Sequence, residues 1–233
     1  MKYYDRNGIP VNYNCAINGF NKGTQGSIFR LTDDNSVCLK QYFDTNNNRS
    51  IFDDCGSKFS QSMFDYFSIK FNNPNFCKLH DLLYDEKNTI VAYTMKYYEE
   101  SIENLLFLPT EYTIENFSVL YNAVEQLTKD CIRIVDMSSS NILNTNNGLV
   151  VIDFDKYYKD NSIDASNLNY INKSALLYAF KGIFENALMK HGINLKDNIE
   201  ARKIIDNLFS FGVTPLVLKC KLKKCTKTID LFK

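Results

Sequence analysis

The spacing of apolar residues changes after Tyr98, and that change limits the architectures open to this chain. Before it, short β-prone runs alternate with turn clusters. Ser27 to Leu31 and Ser36 to Phe43 flank Thr32-Asp33-Asp34-Asn35, which predicts a hairpin. Two further strands are predicted near Phe76 to Tyr84 and Thr89 to Tyr97, joined by Asp85-Glu86-Lys87-Asn88. One helix interrupts them. From about Ser57 to Phe71, the residues Phe59, Met63, Phe64, Phe67 and Phe71 fall on one helical face. Asn72-Asn73-Pro74-Asn75 stops it. Beyond Tyr98 the spacing is mostly helical: Glu99 to Leu106, Thr113 to Lys129, Lys173 to His191 and Ile199 to Phe211. Two apolar strands, Ile142-Leu143 and Leu149 to Ile152, lie among these helices around an Asn-rich turn. The expectation is an α+β chain of two parts, 1–98 rich in strands and 99–233 rich in helices.

Composition narrows the function. Of 233 residues, 27 are basic and 27 acidic, so no excess of cations exists to neutralise a nucleic-acid backbone, and no nucleic acid is expected as partner. His80 and His191 stand alone, which leaves His-rich metal sites poorly supplied. Seven scattered cysteines include no Cys-x-x-Cys pair and read as free thiols in a reducing compartment. The opening residues lack the apolar core of a secretory signal, and no run approaches the ~18 apolar residues of a membrane span. A cytoplasmic location follows as an expectation. The abundance of Asn, Lys, Ile, Phe and Tyr fits an AT-rich genome such as that of a low-GC bacterium.

Two constellations carry chemistry. In the first, Asn21-Lys22-Gly23-Thr24-Gln25-Gly26-Ser27-Ile28 precedes Val37-Cys38-Leu39-Lys40. Glycines in a strand–turn–strand let the backbone approach a phosphate, and a lysine on the next strand can reach the phosphate oxygens. A plain hairpin with turn glycines accounts for the same residues.

In the second, Ile134-Val135-Asp136 leads through Met137-Ser138-Ser139-Ser140 to Asn141, and Val151-Ile152-Asp153-Phe154-Asp155 follows. Phosphoryl transfer needs a carboxylate to orient the attacking hydroxyl and oxygen ligands for Mg²⁺ on the phosphates. Asp136 suits the first task, and Asn141 with Asp153 the second. Val150-Val151-Ile152 is an apolar run delivering a carboxylate at its end, a costly place for a charge without a partner.

In this order the segments resemble the protein-kinase-like superfamily over roughly residues 18 to 158. Asp136-x-x-x-x-Asn141 has the spacing of that family's catalytic loop, and Asp153-Phe154-Asp155 stands where its metal-binding triplet falls. Asn73-Pro74-Asn75-Phe76-Cys77-Lys78-Leu79 resembles the stretch after the regulatory helix, and Thr94-Met95-Lys96-Tyr97-Tyr98-Glu99 the hinge between lobes. The resemblance implies a bilobal fold, with a small antiparallel-sheet N-lobe bearing one helix and a shortened, mainly helical C-lobe. It implies ATP and Mg²⁺ as cofactors, bound between the lobes. Lys40 would contact the α- and β-phosphates, with the loop from Gly23 through Thr24 and Gln25 to Gly26, and Ile28, around them. Met95 would back the adenine, and Lys96, Tyr97 and Tyr98 would offer it backbone groups. Asp155 would be an accessory metal ligand. Asp65, on the expected helix, would pair with Lys40, with Asp53 and Asp54 as fallbacks.

The departures bear on the activity. The first loop glycine is Asn21, the catalytic-loop His and Arg are Ile134 and Val135, and the triplet's Gly is Asp155. Only 78 residues follow Asp155, so much of the usual peptide-docking region is absent or remodelled. The expected activity is transfer of the ATP γ-phosphate to a protein Ser or Thr hydroxyl by a minimal kinase, constitutive or controlled by a protein partner. Alternatives are a pseudokinase that senses nucleotide or binds protein, a small-molecule kinase akin to aminoglycoside and choline kinases, and transfer of AMP. The site of action is the bacterial cytosol, or a host cytosol for a delivered effector. Lys219, Lys221, Lys223, Lys224 and Lys227, near the C-terminus, suit an acidic partner, a membrane surface or RNA, or form a solvated tail or strand edge.

Overall fold

The computed structural model describes residues 2–15, 21–22 (backbone), 26–43, 59–101 and 103–232. The chain divides into two compact units, Met1–Tyr98 with Asp155–Tyr157, and Glu99–Phe154 with Tyr158–Lys233.

The first unit is built on an antiparallel sheet of seven strands: β1 (Tyr3–Tyr4), β2 (Pro10–Val11), β3 (Asn21–Lys22), β4 (Gly26–Arg30), β5 (Val37–Tyr42), β6 (Leu79–Tyr84) and β7 (Ile90–Lys96). Its order is β2-β1-β6-β7-β5-β4-β3. The hairpin predicted around Thr32–Asn35 is present, with Phe29 opposite Leu39 and Ile28 opposite Lys40. Alternation along β5 assigns its two faces. Leu39 joins Tyr3, Leu31, Leu83 and Ala92 in a buried cluster on one side. Cys38, Lys40 and Tyr42 belong to the other.

The helix of this unit is shorter than its sequence pattern predicts. α1 (Gln61–Asp65) starts at a Ser60 cap, and Tyr66–Lys70 continues as a π-helical turn. The Ser60 hydroxyl accepts from the Met63 amide at 3.2 Å, while Ser57 and Lys58 lie outside the described residues. The expected apolar face is buried: Phe59, Met63, Phe64, Phe67 and Phe71 are each under 9% exposed. Phe59 meets the Tyr93 ring edge-on at 5.1 Å, and Phe67 meets Phe76 and Tyr157 at 6.2 and 6.0 Å. Tyr157 thereby anchors the Asp155–Tyr157 segment in this unit.

The second unit is centred on α2 (Thr110–Lys129) and α3 (Ala165–Lys190), with Phe117 edge-on to Phe180 at 5.0 Å. α2 begins earlier than the apolar pattern predicts, because its first polar residues have partners: Thr110 Oγ1 donates to the Cys225 carbonyl, and Thr113 meets Thr228. α3 begins eight residues before the expected Lys173. Asp164 caps it by accepting from the Ser166 and Asn167 amides, both at 3.0 Å. Among the described residues of Glu99 to Leu106 the expected helix is absent, and Leu105–Phe107 turns as a 3₁₀ segment. The backbone there is engaged by Asn144, whose carbonyl accepts from the Ser101 amide and whose Nδ2 donates to the Glu103 carbonyl.

β9 (Ile142–Thr145) and β10 (Gly148–Val151) form the expected hairpin, and β8 (Ile132–Arg133) pairs with β11 (Tyr158–Lys159). α4 (Ile199–Leu208) and α5 (Pro215–Leu222) complete the unit. Of the lysine-rich stretch expected as a tail or strand edge, Lys219 and Lys221 lie on α5, one face of which is fixed by burial of Leu218 and Leu222, while Lys223, Lys224 and Lys227 follow it, Lys227 bridged to Pro109. Among the described residues no helix is long and apolar enough to cross a membrane. The six described cysteines are free thiols.

Candidate active site

Lys40 sits at the middle of β5 with its side chain 5% exposed. An ammonium so placed needs a counter-charge. Its described carboxylate partner is Asp155: Lys40 Nζ donates to Asp155 Oδ2 at 2.9 Å, and the Tyr42 hydroxyl donates to the same oxygen at 2.8 Å. The Tyr42 and Tyr93 rings lie 5.7 and 5.9 Å from Nζ, close enough for their π faces to favour the cation. Asp65 does not fill this role. It accepts from Arg6 at 2.7 Å and from Gln61 at 3.0 Å. Burial raises its pKa, but those hydrogen bonds and the Arg6 charge outweigh it, so the carboxyl titrates below its ordinary value. Asp155, expected as an accessory metal ligand, is the buried counter-ion of Lys40 through Oδ2. Asp53 and Asp54 lie outside the described residues.

Of the expected phosphate loop, Gly23, Thr24 and Gln25 lie outside the described residues. Gly26 has a structural reason to be glycine: a Cβ there would stand 2.3 Å from the Gln41 carbonyl oxygen on β5. Ile28 is half-buried. Met95 is buried opposite Cys38, whose Sγ donates to the Met95 carbonyl at 3.6 Å. Burial pushes the Cys38 thiol up to about 12. The hinge offers less than expected. The Lys96 amide donates to Lys78 O at 2.8 Å, and the Tyr97 amide to Ser36 O at 2.7 Å, so both are used inside the unit. Tyr98 is the one of the three whose amide makes no hydrogen bond to a described residue.

The second unit holds Asp136, Asn141 and Asp153. Four described non-glycine residues have a left-handed backbone: Asn88, Cys131, Asp136 and Asp153. Asn88 closes the β6–β7 turn and Cys131 ends α2, both ordinary sites for that conformation. Asp136 (φ 61°) and Asp153 (φ 57°) do neither. Each costs about 1–2 kcal/mol, which the surroundings must offset. Those surroundings are visible. Asn141 Nδ2 donates to the Asp136 carbonyl at 2.8 Å, closing the loop on itself. The Ile152 amide donates to the Asn141 carbonyl at 2.8 Å, and Val151 pairs with Ile142, so Asn141 and Asp153 share one end of the β9–β10 hairpin.

Sequence reasoning missed the support beneath this loop. Asn172 on α3 is fully buried; its Oδ1 accepts from the Ile134 amide at 2.9 Å, and its Nδ2 donates to Ile132 O at 2.8 Å and Thr128 Oγ1 at 3.0 Å. One amide thus fixes the strand that enters the loop. Ser139 rests on the same helix at Gly182, where a Cβ would stand 2.8 Å from the Ser139 hydroxyl, and accepts from Asn186 at 3.2 Å. The sequence signal for Gly182 was a glycine inside a helical pattern.

The donor chemistry of Asn141 and Asp153 suits a hard cation. With Nδ2 engaged, Asn141 keeps Oδ1 for a ligand, and Asp153 adds a carboxylate. Two protein oxygens completed by phosphates and water are the usual Mg²⁺ complement. Among the described residues no three His, Cys, Asp or Glu side chains form a cage that would hold a metal by themselves. A cavity of about 480 Å³ adjoins the loop, walled in part by Ser139, Asn144, Asn186, Glu100, Glu103 and Lys190.

No family model matches the chain, and no curated protein matches it. Among solved structures it is similar to the autoinhibited serine kinase domain of the giant muscle protein titin, with a TM-score of 0.55 and 11% identity over 90% of this chain and 79% of that one. At that identity the likeness speaks to fold alone: a mixed α/β, protein-kinase-like fold with an antiparallel sheet and helices.

Proposed function

We propose that the chain is an ATP- and Mg²⁺-dependent phosphotransferase of the minimal kinase type, acting on a protein Ser or Thr hydroxyl. The observation that carries this reading is the pair of left-handed aspartates, Asp136 and Asp153, at either side of a hairpin whose end Asn141 ties to the Asp136 carbonyl. A scaffold has no need of two such carboxylates.

In this reading Asp136, which is exposed, orients the acceptor hydroxyl and takes its proton as the oxygen bonds to the γ-phosphorus. The bond to the β-phosphate oxygen breaks, and ADP leaves. Asn141 Oδ1 and the Asp153 carboxylate would hold Mg²⁺, which would supply charge to offset that on the phosphate oxygens. Lys40, paired with Asp155 and Tyr42 in the first unit, would be the contact to the α- and β-phosphates.

Two observations favour other readings. The cavity against Ser139 has the volume of a small-molecule site and suits a small acceptor. The existing Asp155 partner of Lys40 suits a pseudokinase that binds nucleotide without turnover. Incubation with γ-labelled ATP and Mg²⁺, native chain against Asp136→Ala, decides among them. Labelled protein lost in the variant supports the proposal. Equal labelling of both sinks the role of Asp136, and metal-dependent binding with no transfer to protein or small acceptors indicates the pseudokinase.

A further inference from the structure

Asp206 and Asp230 bracket a stretch that contains no acidic residue but holds Lys219, Lys221, Lys223, Lys224 and Lys227. In a chain of zero net charge this is a concentrated basic field. α5 decides where it points. Leu218 and Leu222, one turn apart, are buried. At about 100° per residue, Leu216, Cys220 and Lys223 project from the opposite side, with Lys219 and Val217 on its two flanks. Lys219, Lys223, Lys224 and Lys227 are exposed, and none is in an ion pair with a described residue. Lys221 alone turns inward, donating to the Asn207 carbonyl.

The same stretch of chain exposes apolar side chains: Leu216 is 71% exposed, Phe211 66% and Val217 39%. Phe211 stands beside Tyr170, ring centroids 4.7 Å apart, next to Gly212 with φ 85°. Cations alone would suit any polyanion. An RNA has use for the lysines and for a stacking aromatic but none for Leu216 and Val217. An acidic polypeptide matches the charge but meets these apolar side chains only where its own sequence supplies apolar residues at the right spacing. An anionic bilayer takes both, head groups against the ammoniums and the interface against the apolar side chains.

We propose that this face docks on an anionic phospholipid membrane, with Phe211, Leu216 and Val217 entering the interface and Lys219, Lys223, Lys224 and Lys227 over the head groups. The attachment is peripheral and stands apart from the phosphotransfer reading.

The test is co-sedimentation of the full chain with vesicles of phosphatidylcholine alone and of phosphatidylcholine with phosphatidylserine, at low and high salt. The expected result is pelleting with the anionic vesicles only, released by salt. K219Q/K223Q/K224Q lowers the partition about a hundredfold, at about fivefold per lysine. F211S/L216S lowers it about a hundredfold, at about tenfold per side chain. These positions are exposed, so the melting temperatures should stay native, and the vesicle and salt comparisons need only the native chain. Failure to pellet with anionic vesicles overturns the proposal, as does undiminished binding by the folded lysine variant or tighter binding to RNA or polyglutamate than to the vesicles.

Discussion

Lys40 and Asp155 lie 115 residues apart in the chain and meet at 2.9 Å, their side chains 5% and 0% exposed. Removing one partner strands a buried charge, whereas removing both leaves no buried charge unpaired. Lys40→Met and Asp155→Leu should each cost about 3–5 kcal/mol in urea denaturation, and the double variant should cost clearly less than their sum. Additive losses would mean that the two groups do not depend on each other.

Gly26→Ala puts a methyl against the Gln41 carbonyl of β5. The strands must separate, because a backbone oxygen cannot rotate away. The expected loss is about 1–3 kcal/mol in denaturant unfolding, with or without nucleotide. A variant of native stability that loses only ATP affinity would assign Gly26 to phosphate binding rather than to the sheet.

Asn172→Leu leaves the Ile134 amide and the Ile132 carbonyl unpaired inside the second unit. A loss of about 2–5 kcal/mol is expected, since each stranded buried group costs about 1–3. Phosphate transfer should fall with ATP affinity little changed. Asn172→Asp keeps the acceptor and should restore part of the transfer rate. If the Leu variant transfers phosphate normally, Asn172 does not position the loop.

The Cys38 thiol titrates near 12 in the fold against 9.0 in the open chain. Between those values the unfolded chain binds fewer protons than the folded one, so stability falls as pH rises from about 9 towards 12. Stability of the native chain against Cys38→Ala, followed from pH 8 to about 10, should fall less steeply in the variant. Equal slopes would show that Cys38 contributes nothing to the alkaline loss.

The sequence made local structure legible where apolar spacing was regular. The hairpin around Thr32–Asn35, the β9–β10 hairpin and the body of α2 follow from it directly. The first turns of α3 did not, because Asn167, Asn169 and Asn172 interrupt the apolar pattern, and one of them is buried only because it has backbone partners 38 and 40 residues away. Glu99 to Leu106 has helical spacing, but its backbone is drawn to Asn144. The site divides the same way. Asp136, Asn141 and Asp153 were visible as a spacing. The partner of Lys40 was not, because Arg6, 59 residues from Asp65, holds the nearer candidate.

The buried pair at 40 and 155 also constrains how this sequence can diverge. Neither position can drift to a neutral residue alone without a large loss of stability, so changes there should come in pairs. Among distant descendants of this chain, a neutral residue at position 40 should be accompanied by one at 155. That covariation would remain a signature of common ancestry after the surrounding residues had changed.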